Sequence, residues 1–284
     1  MRSLWHNHRI GCKLVGKILL CGLLIYLGLG GLALLSQKSL TYHPQPARPE
    51  DEVFLESYPW LHKVQFQAAD GIELHAVWTP PAEGQAVLLF SHGNAGNLLA
   101  RIPLVERLHQ QGLGVFLYDY RGFGRSQGSP DEKGLYQDSE AAWEWITAGG
   151  GIQPERIISY GRSLGAAVAL HLALSRPVGG VILEVPFTSV RDMARMVLPF
   201  FPLGPFLRES YDNLLGVQSL ERPLLIMVAE DDRVVAPWMG KALFEAANEP
   251  KQLLTVPEAG HEDIPWTGRL YEEAINAFLA TLHP

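Results

Sequence analysis

The chain has 284 residues, 47% of them hydrophobic and 19% charged, which suits one large α/β domain or two small ones with an added apolar stretch. Residues 1–48 hold six Lys/Arg and no acid, whereas the remainder has 17 basic residues against 30 acidic, a net of −13 that excludes nucleic acid as a natural partner. Both cysteines, Cys12 and Cys21, fall in or beside the apolar stretch, so the body offers no disulfide, no cysteine metal site and no cysteine nucleophile.

In chain order, Ile18 to Leu35 comes first, eighteen residues without a charge. As a helix it spans about 27 Å, close to the hydrocarbon thickness of a bilayer. Arg2, Arg9, Lys13 and Lys17 precede it, and only Lys38 and Arg48 follow nearby. The positive-inside rule then predicts a cytoplasmic amino terminus, a single-pass anchor in the cell membrane and a body on the far side. A cleaved signal peptide is the rival reading. Its apolar region is shorter and ends in small residues, whereas Leu34-Leu35-Ser36-Gln37-Lys38 is a poor cleavage site. Residues 1–38 are therefore expected to form a stub and membrane anchor.

Residues 39–60, with Pro44, Pro46, Pro49 and Pro59, read as a linker settling onto a body of residues 61–284. Lys63 to Ala68 and Ile72 to Trp78 read as a hairpin about Asp70-Gly71. Ala86 to Phe90, Val115 to Tyr118, Arg156 to Tyr160, Val178 to Val185, Leu224 to Ala229 and Gln252 to Val256 read as further strands, several of them continuously apolar as buried parallel strands are. Helical patterns separate them: one to about Gln111, then Asp131 to Ala148, Ala166 to Leu174, Pro237 to Ala247 and Leu270 to Leu282. The alternation predicts an α/β fold, a mostly parallel central sheet with helices on both faces, and a small cap inserted at about 187–218.

Tyr160-Gly161-Arg162-Ser163-Leu164-Gly165 lies between the Arg156 strand and the Ala166 helix, the strand-to-helix context that a nucleophile elbow requires. The glycines fit a sharp turn that leaves no room for neighbouring side chains. Ser163 would sit at a helix N-terminus, where free N–H groups favour developing negative charge. A serine nucleophile needs a base, itself held by a third group. Among the histidines of the body, His261 follows a strand on a loop, whereas His75, His109 and His171 sit within strands or helices. The acid is expected after a strand between serine and histidine. Glu230, Asp231 and Asp232 all qualify, and Glu184 is a further option whose alternative role is to hold loop backbone. The loop Ser91-His92-Gly93-Asn94-Ala95-Gly96-Asn97 can present backbone N–H groups which, with that of Leu164, would form an oxyanion hole. It lacks the Lys-Ser/Thr of a phosphate loop, and His92 reads as a brace for it.

Ser91 to Asn97, Asp119-Tyr120-Arg121-Gly122-Phe123-Gly124-Arg125-Ser126, Gly161 to Gly165, Asp232-Arg233-Val234-Val235 and Gly260-His261 together resemble the α/β-hydrolase superfamily over roughly residues 60–284. The His-Gly-Asn-Ala-Gly-Asn string is most similar to a branch related to prolyl oligopeptidases, which includes small hydrolases with an amino-terminal membrane anchor. The resemblance implies Ser163 as nucleophile, Asp232 as acid and His261 as base, with the N–H groups of Asn94 and Leu164 as oxyanion donors. Ala229 stands where relatives commonly have glycine, which bears on strand-end packing more than on chemistry.

These readings predict a membrane-anchored serine hydrolase acting on an acyl ester or thioester through an acyl-enzyme, without metal or organic cofactor. A peptidase of prolyl oligopeptidase type and a catalytically silent, membrane-tethered binding module are the alternatives. The expected partners are the bilayer and a small acyl or lipid-like substrate, with no protein partner indicated. Within the cap, Met193 to Leu207 is rich in Met, Phe and Pro. Met193, Met196, Phe200, Phe201 and Phe206 are expected to line an acyl-binding groove, the alternative being that they form the cap's own core.

Overall fold

A computed structural model describes residues 2–282, with side chains from Gly16 onward. Met1, His283 and Pro284, and the side chains of Arg2, Arg9, Cys12 and Lys13, lie outside the described residues. The continuous apolar runs become the inner strands of an eight-stranded sheet: β1 His62–Gln67, β2 Glu73–Thr79, β3 Val87–Ser91, β4 Gly114–Tyr118, β5 Ile157–Arg162, β6 Gly180–Glu184, β7 Leu224–Ala229 and β8 Lys251–Val256. Their spatial order is β8-β7-β6-β5-β3-β4-β2-β1. Strands β3 to β8 are parallel, and the β1–β2 hairpin joins antiparallel through β2 and β4. Every residue of β3 through β7 is buried, because helices cover both faces.

The helices are α1 Arg2–Leu35, α2 Gln37–Thr41, α3 Pro49–Glu56, α4 Ile102–Gln110, α5 Glu132–Glu144, α6 Leu164–Ser175, α7 Val190–Val197, α8 Asn213–Val217, α9 Pro237–Ala246 and α10 Arg269–Ala280. Alternation along β3 feeds two cores. Leu88 and Phe90 pack with Ile102, Val105 and Leu108 of α4 and with Tyr271, Ile275 and Phe278 of α10. Val87 and Leu89 pack on the other side with α5, α6 and α9 through Leu135, Ala142, Val168, Leu172, Met239 and Leu243. Helices α4 and α6 thus leave the neighbouring strands β3 and β5 toward opposite faces. Such a switch point opens a crevice at the carboxyl ends of the strands.

Three features depart from the sequence expectation. Strand β5 continues to Arg162, because its ladder with β6 runs on to the pair Arg162–Glu184. Helix α5 ends at Glu144 and passes into a π-helical turn over Trp145–Gly149, ahead of the Gly149-Gly150-Gly151 run. Residues 39–60 are more than a linker. They carry α3, with Pro49 in its first turn and three acids at its positive end. They also form a short ladder in which His43 and Pro44 pair with Ala95 and Gly96. The apolar part of α1, Gly16–Leu35, is long and apolar enough to cross a membrane.

Candidate active site

Ser163 stands between the end of β5 and the first residue of α6, with φ 54° and ψ −116°. That left-handed conformation is costly for a residue with a Cβ, and the surroundings hold it in place. Its N–H donates to the Glu184 carbonyl at 2.9 Å and its carbonyl accepts from Ala166 N–H at 3.0 Å. The two flanking glycines are required sterically. A Cβ on Gly165 would run into the Ser91 carbonyl, and one on Gly161 into the Gly165 backbone.

Loops after β7 and β8 bring the other two groups to the serine. His261 Nε2 lies 3.1 Å from Ser163 Oγ, and His261 Nδ1 lies 2.6 Å from Asp232 Oδ2. An ionised carboxylate only accepts, so the imidazole proton sits on Nδ1 and Nε2 is left to accept from the serine hydroxyl. Asp232 is fixed in turn, since its Oδ1 accepts from Val234 N–H at 2.8 Å and Val235 N–H at 2.9 Å. The other acids of that loop point elsewhere. Asp231 is exposed, and Glu230 pairs with Lys241 at 2.7 Å.

Glu184 is buried beneath the site and reaches His261 only through an intermediary. It lies 3.2 Å from Arg162 Nε as an ion pair without hydrogen-bond alignment, and it accepts from the Tyr160 hydroxyl. Arg162 Nη2 donates to the His261 carbonyl at 2.8 Å and pairs with Glu262 at 2.7 Å. Burial pushes the Glu184 carboxyl above its ordinary range, with the Arg162 guanidinium as the main opposing influence. Arg162 and Glu184 therefore brace the histidine loop. His92 is likewise internal: its Nδ1 lies 2.7 Å from the Gly93 carbonyl, and its ring packs against Tyr120 and Phe123. His171 stacks on Tyr136 along the scaffold.

Asn94, Ser163 and Leu164 face one cavity of about 250 Å³. Among the described residues, neither the Asn94 nor the Leu164 N–H has a hydrogen-bond acceptor. Two other groups on Asn94 are engaged. Its carbonyl accepts from His43 N–H at 2.8 Å, and its side-chain amide donates to the Thr41 carbonyl at 3.0 Å. The segment leaving α1 thus pins the loop and leaves the Asn94 N–H free.

The cavity wall differs from the expected groove. Val190, Met193, Ala194 and Val197 of α7 line it, at the i, i+3, i+4, i+7 spacing of one helix face. Met196 falls to the side of that face and is exposed; Phe200 and Phe206 are 83% and 66% exposed. Phe201 stacks on Tyr26 of α1 with ring centroids 4.7 Å apart. Of the five residues expected in the groove, only Met193 lines the cavity. The prolines at 199, 202 and 205 end α7 early and turn the three phenylalanines away from it.

Ala33, Gln37, Leu40 and Thr41 also line the wall, although the sequence pattern sets this segment outside the catalytic body. Its signal was Leu40-Thr41-Tyr42, too apolar for a solvated linker. Tyr42 is buried, donates to Glu209 and meets the Tyr211 hydroxyl at 2.7 Å.

The sequence model of the family described as serine aminopeptidase, S33, matches residues 82–216, which include Asn94 and Ser163 but stop short of Asp232 and His261. The alpha/beta hydrolase domain-containing protein 17B of Homo sapiens is 36% identical over 68% of this chain and 66% of that protein. The chain belongs to the α/β-hydrolase superfamily. Another relative, the uncharacterized protein Rv2307c of Mycobacterium tuberculosis, is 37% identical over 86% of this chain and 87% of its own length. The solved esterase Pf2001 of Pyrococcus furiosus shares the fold at a TM-score of 0.66 and 20% identity, covering 84% of this chain and 98% of that one. The family model and the human relative support a hydrolase, and the esterase structure supports the fold.

The brace under His261 makes a stability prediction. Arg162→Met leaves the Glu184 carboxylate buried without its ion pair, and urea unfolding should show a loss of about 3 kcal/mol. Adding Glu184→Gln should recover part of that loss. An equal loss in the single and double variants would mean that the two side chains do not act as a pair.

Proposed function

We propose that the protein is a membrane-anchored serine hydrolase that cleaves an acyl ester or thioester through an acyl-enzyme. The observation that carries this reading is the continuous hydrogen-bonded line from Asp232 through His261 to Ser163 Oγ, with two free backbone N–H groups beside it. His261 Nε2 takes the hydroxyl proton as Ser163 Oγ attacks the substrate carbonyl carbon. The oxyanion so formed accepts from the N–H groups of Asn94 and Leu164, two residues that line the cavity with Ser163. Asp232 stabilises the imidazolium and holds its tautomer. Collapse of the tetrahedral intermediate expels the alcohol or thiol, which leaves with the proton from His261. Water then attacks the acyl-enzyme by the same route, with His261 again as base, and releases the acid.

The cavity favours an acyl chain. Its lining includes Leu40, Phe187, Val190, Met193, Val197, Leu198 and Leu203, and no acidic residue is among the described residues that line it. An aminopeptidase would need a carboxylate there to hold the substrate's ammonium group. We place the body across the membrane from a cytoplasmic amino terminus, on the charge distribution about Gly16–Leu35.

Three outcomes are expected. Ser163→Ala should fold normally and lose labelling by a fluorophosphonate probe. Asp232→Asn should lower kcat by about 10⁴, while Asp231→Asn stays near wild type. A reversal of the two aspartates would remove Asp232 from the role given to it. For substrate, kcat/KM on p-nitrophenyl esters should rise from acetyl to medium chains by up to ~0.8 kcal/mol per buried methylene. Val190→Trp should flatten that rise and spare the acetyl ester; a wild-type enzyme indifferent to chain length would contradict the acyl pocket.

A further inference from the structure

The cap does not sit clear of the long apolar helix. Phe201 stacks on Tyr26 and lies against Gly30, where an added Cβ would come within 3.3 Å of the ring. The Tyr26 hydroxyl donates to the Phe200 carbonyl at 2.6 Å. Tyr26 and Gly30 lie well inside the apolar span that ends at Leu35. At 1.5 Å per residue, these contacts fall about 8 to 13 Å from the helix end, measured along its axis. If α1 spans a bilayer, the loop touching it at that depth is also in the bilayer.

The loop itself is built for that solvent. Phe200, Phe206 and Val197 are among the most exposed apolar side chains of the body, at 83%, 66% and 70%. Lipid cannot hydrogen-bond a free backbone donor, so a loop placed there must have few of them. Pro199, Pro202 and Pro205 have none, and Leu198, Phe201, Leu203 and Phe206 donate theirs within the cap, which leaves only the Phe200 and Gly204 N–H groups without an acceptor among the described residues. Basic residues flank the apolar tip on an otherwise acidic body: Lys38, Arg191, Arg195 and Arg208 are exposed, of which Arg195 pairs with Asp192 at 3.1 Å. An aromatic tip with a basic collar is the composition of a surface that enters a leaflet with anionic headgroups.

We infer that residues 198–206 are inserted into the bilayer leaflet beside α1, so that the active-site cavity draws acyl chains directly from the membrane. Ala33 and Gln37 close the cavity on the α1 side and Leu203 and Leu207 on the loop side. With the loop so inserted, the cavity's mouth stands between these two sides, at the level of the lipid. A substrate reaches Ser163 by lateral movement in the leaflet, its acyl chain never crossing water. The inference deepens the acyl-hydrolase reading above and rests on α1 being a retained anchor.

The test uses the full chain with Cys12→Ser and Cys21→Ser, reconstituted in vesicles of phosphatidylcholine with a minority of phosphatidylglycerol. A nitrobenzoxadiazole probe is placed in turn at Leu24→Cys, Phe200→Cys and Glu83→Cys, the last at the opposite end of the sheet. Blue-shifted emission and quenching by acyl-chain-labelled lipid are expected at 24 and 200, and aqueous emission at 83. Lipid at 24 with water at 200 overturns the inserted loop and leaves the anchor standing; water at 24 overturns the anchor and the inference with it. In the same vesicles, Phe200→Asp/Phe206→Asp should lower kcat/KM on a membrane-borne long-chain ester by about tenfold or more, in line with two lost apolar anchors, and leave a soluble short-chain ester unchanged. A fall on both substrates alike, or on neither, contradicts the access route.

Discussion

Ser163 holds a backbone conformation that side chains rarely adopt, φ 54° at the junction of β5 and α6. The strain is maintained because the junction is overdetermined. Gly161 and Gly165 allow backbone to meet backbone, the Glu184 carbonyl holds the Ser163 N–H, and two cores clamp the strand and the helix. The other features follow from this one placement. Only from that turn does Oγ point along the crevice at the strand ends, with the Leu164 N–H beside it. The loops after β3, β7 and β8 then have a fixed atom to converge upon.

What distinguishes this chain from a free hydrolase domain is how its amino-terminal segment meets that centre. The residues following α1 are threaded along the Asn94 loop by the His43–Ala95 ladder, and Gln37, Leu40 and Thr41 wall the cavity. The segment that follows α1 therefore takes part in two jobs at once: it holds the Asn94 loop and it shapes the pocket. Beneath the opposite side, Glu184, Arg162 and Tyr160 tie the histidine loop to the sheet. The site is held from both flanks by groups remote from the reacting atoms.

The strand positions, both helix layers and the meeting of Ser163 and His261 with an acid of the 230–232 loop were legible because they depend on strong local signals. Apolar runs of strand length, glycines about a serine and a Ser…Asp…His order each have few alternative readings. The choice among Glu230, Asp231 and Asp232 was not legible from residue type; it is decided by which carboxylate the turn buries against the Val234 and Val235 N–H groups. The cap failed for a related reason. An apolar residue in an irregular loop has no period to give its direction, so Phe200, Phe201 and Phe206 were assigned inward although the prolines turn them outward. Met193 stands on a regular helix whose period gives its direction, and it lines the cavity. The part played by Gln37 to Thr41 was hidden because it depends on contacts with residues far along the chain.

The central claim is that Ser163 carries the acyl group during turnover. Rapid mixing of the vesicle-reconstituted enzyme with a medium-chain p-nitrophenyl ester, followed by acid quench and mass analysis, tests it directly. The account predicts a burst of one equivalent of p-nitrophenol per enzyme and an acyl adduct that maps to Ser163. Turnover without a burst or adduct, or an acyl group on another residue, would contradict it.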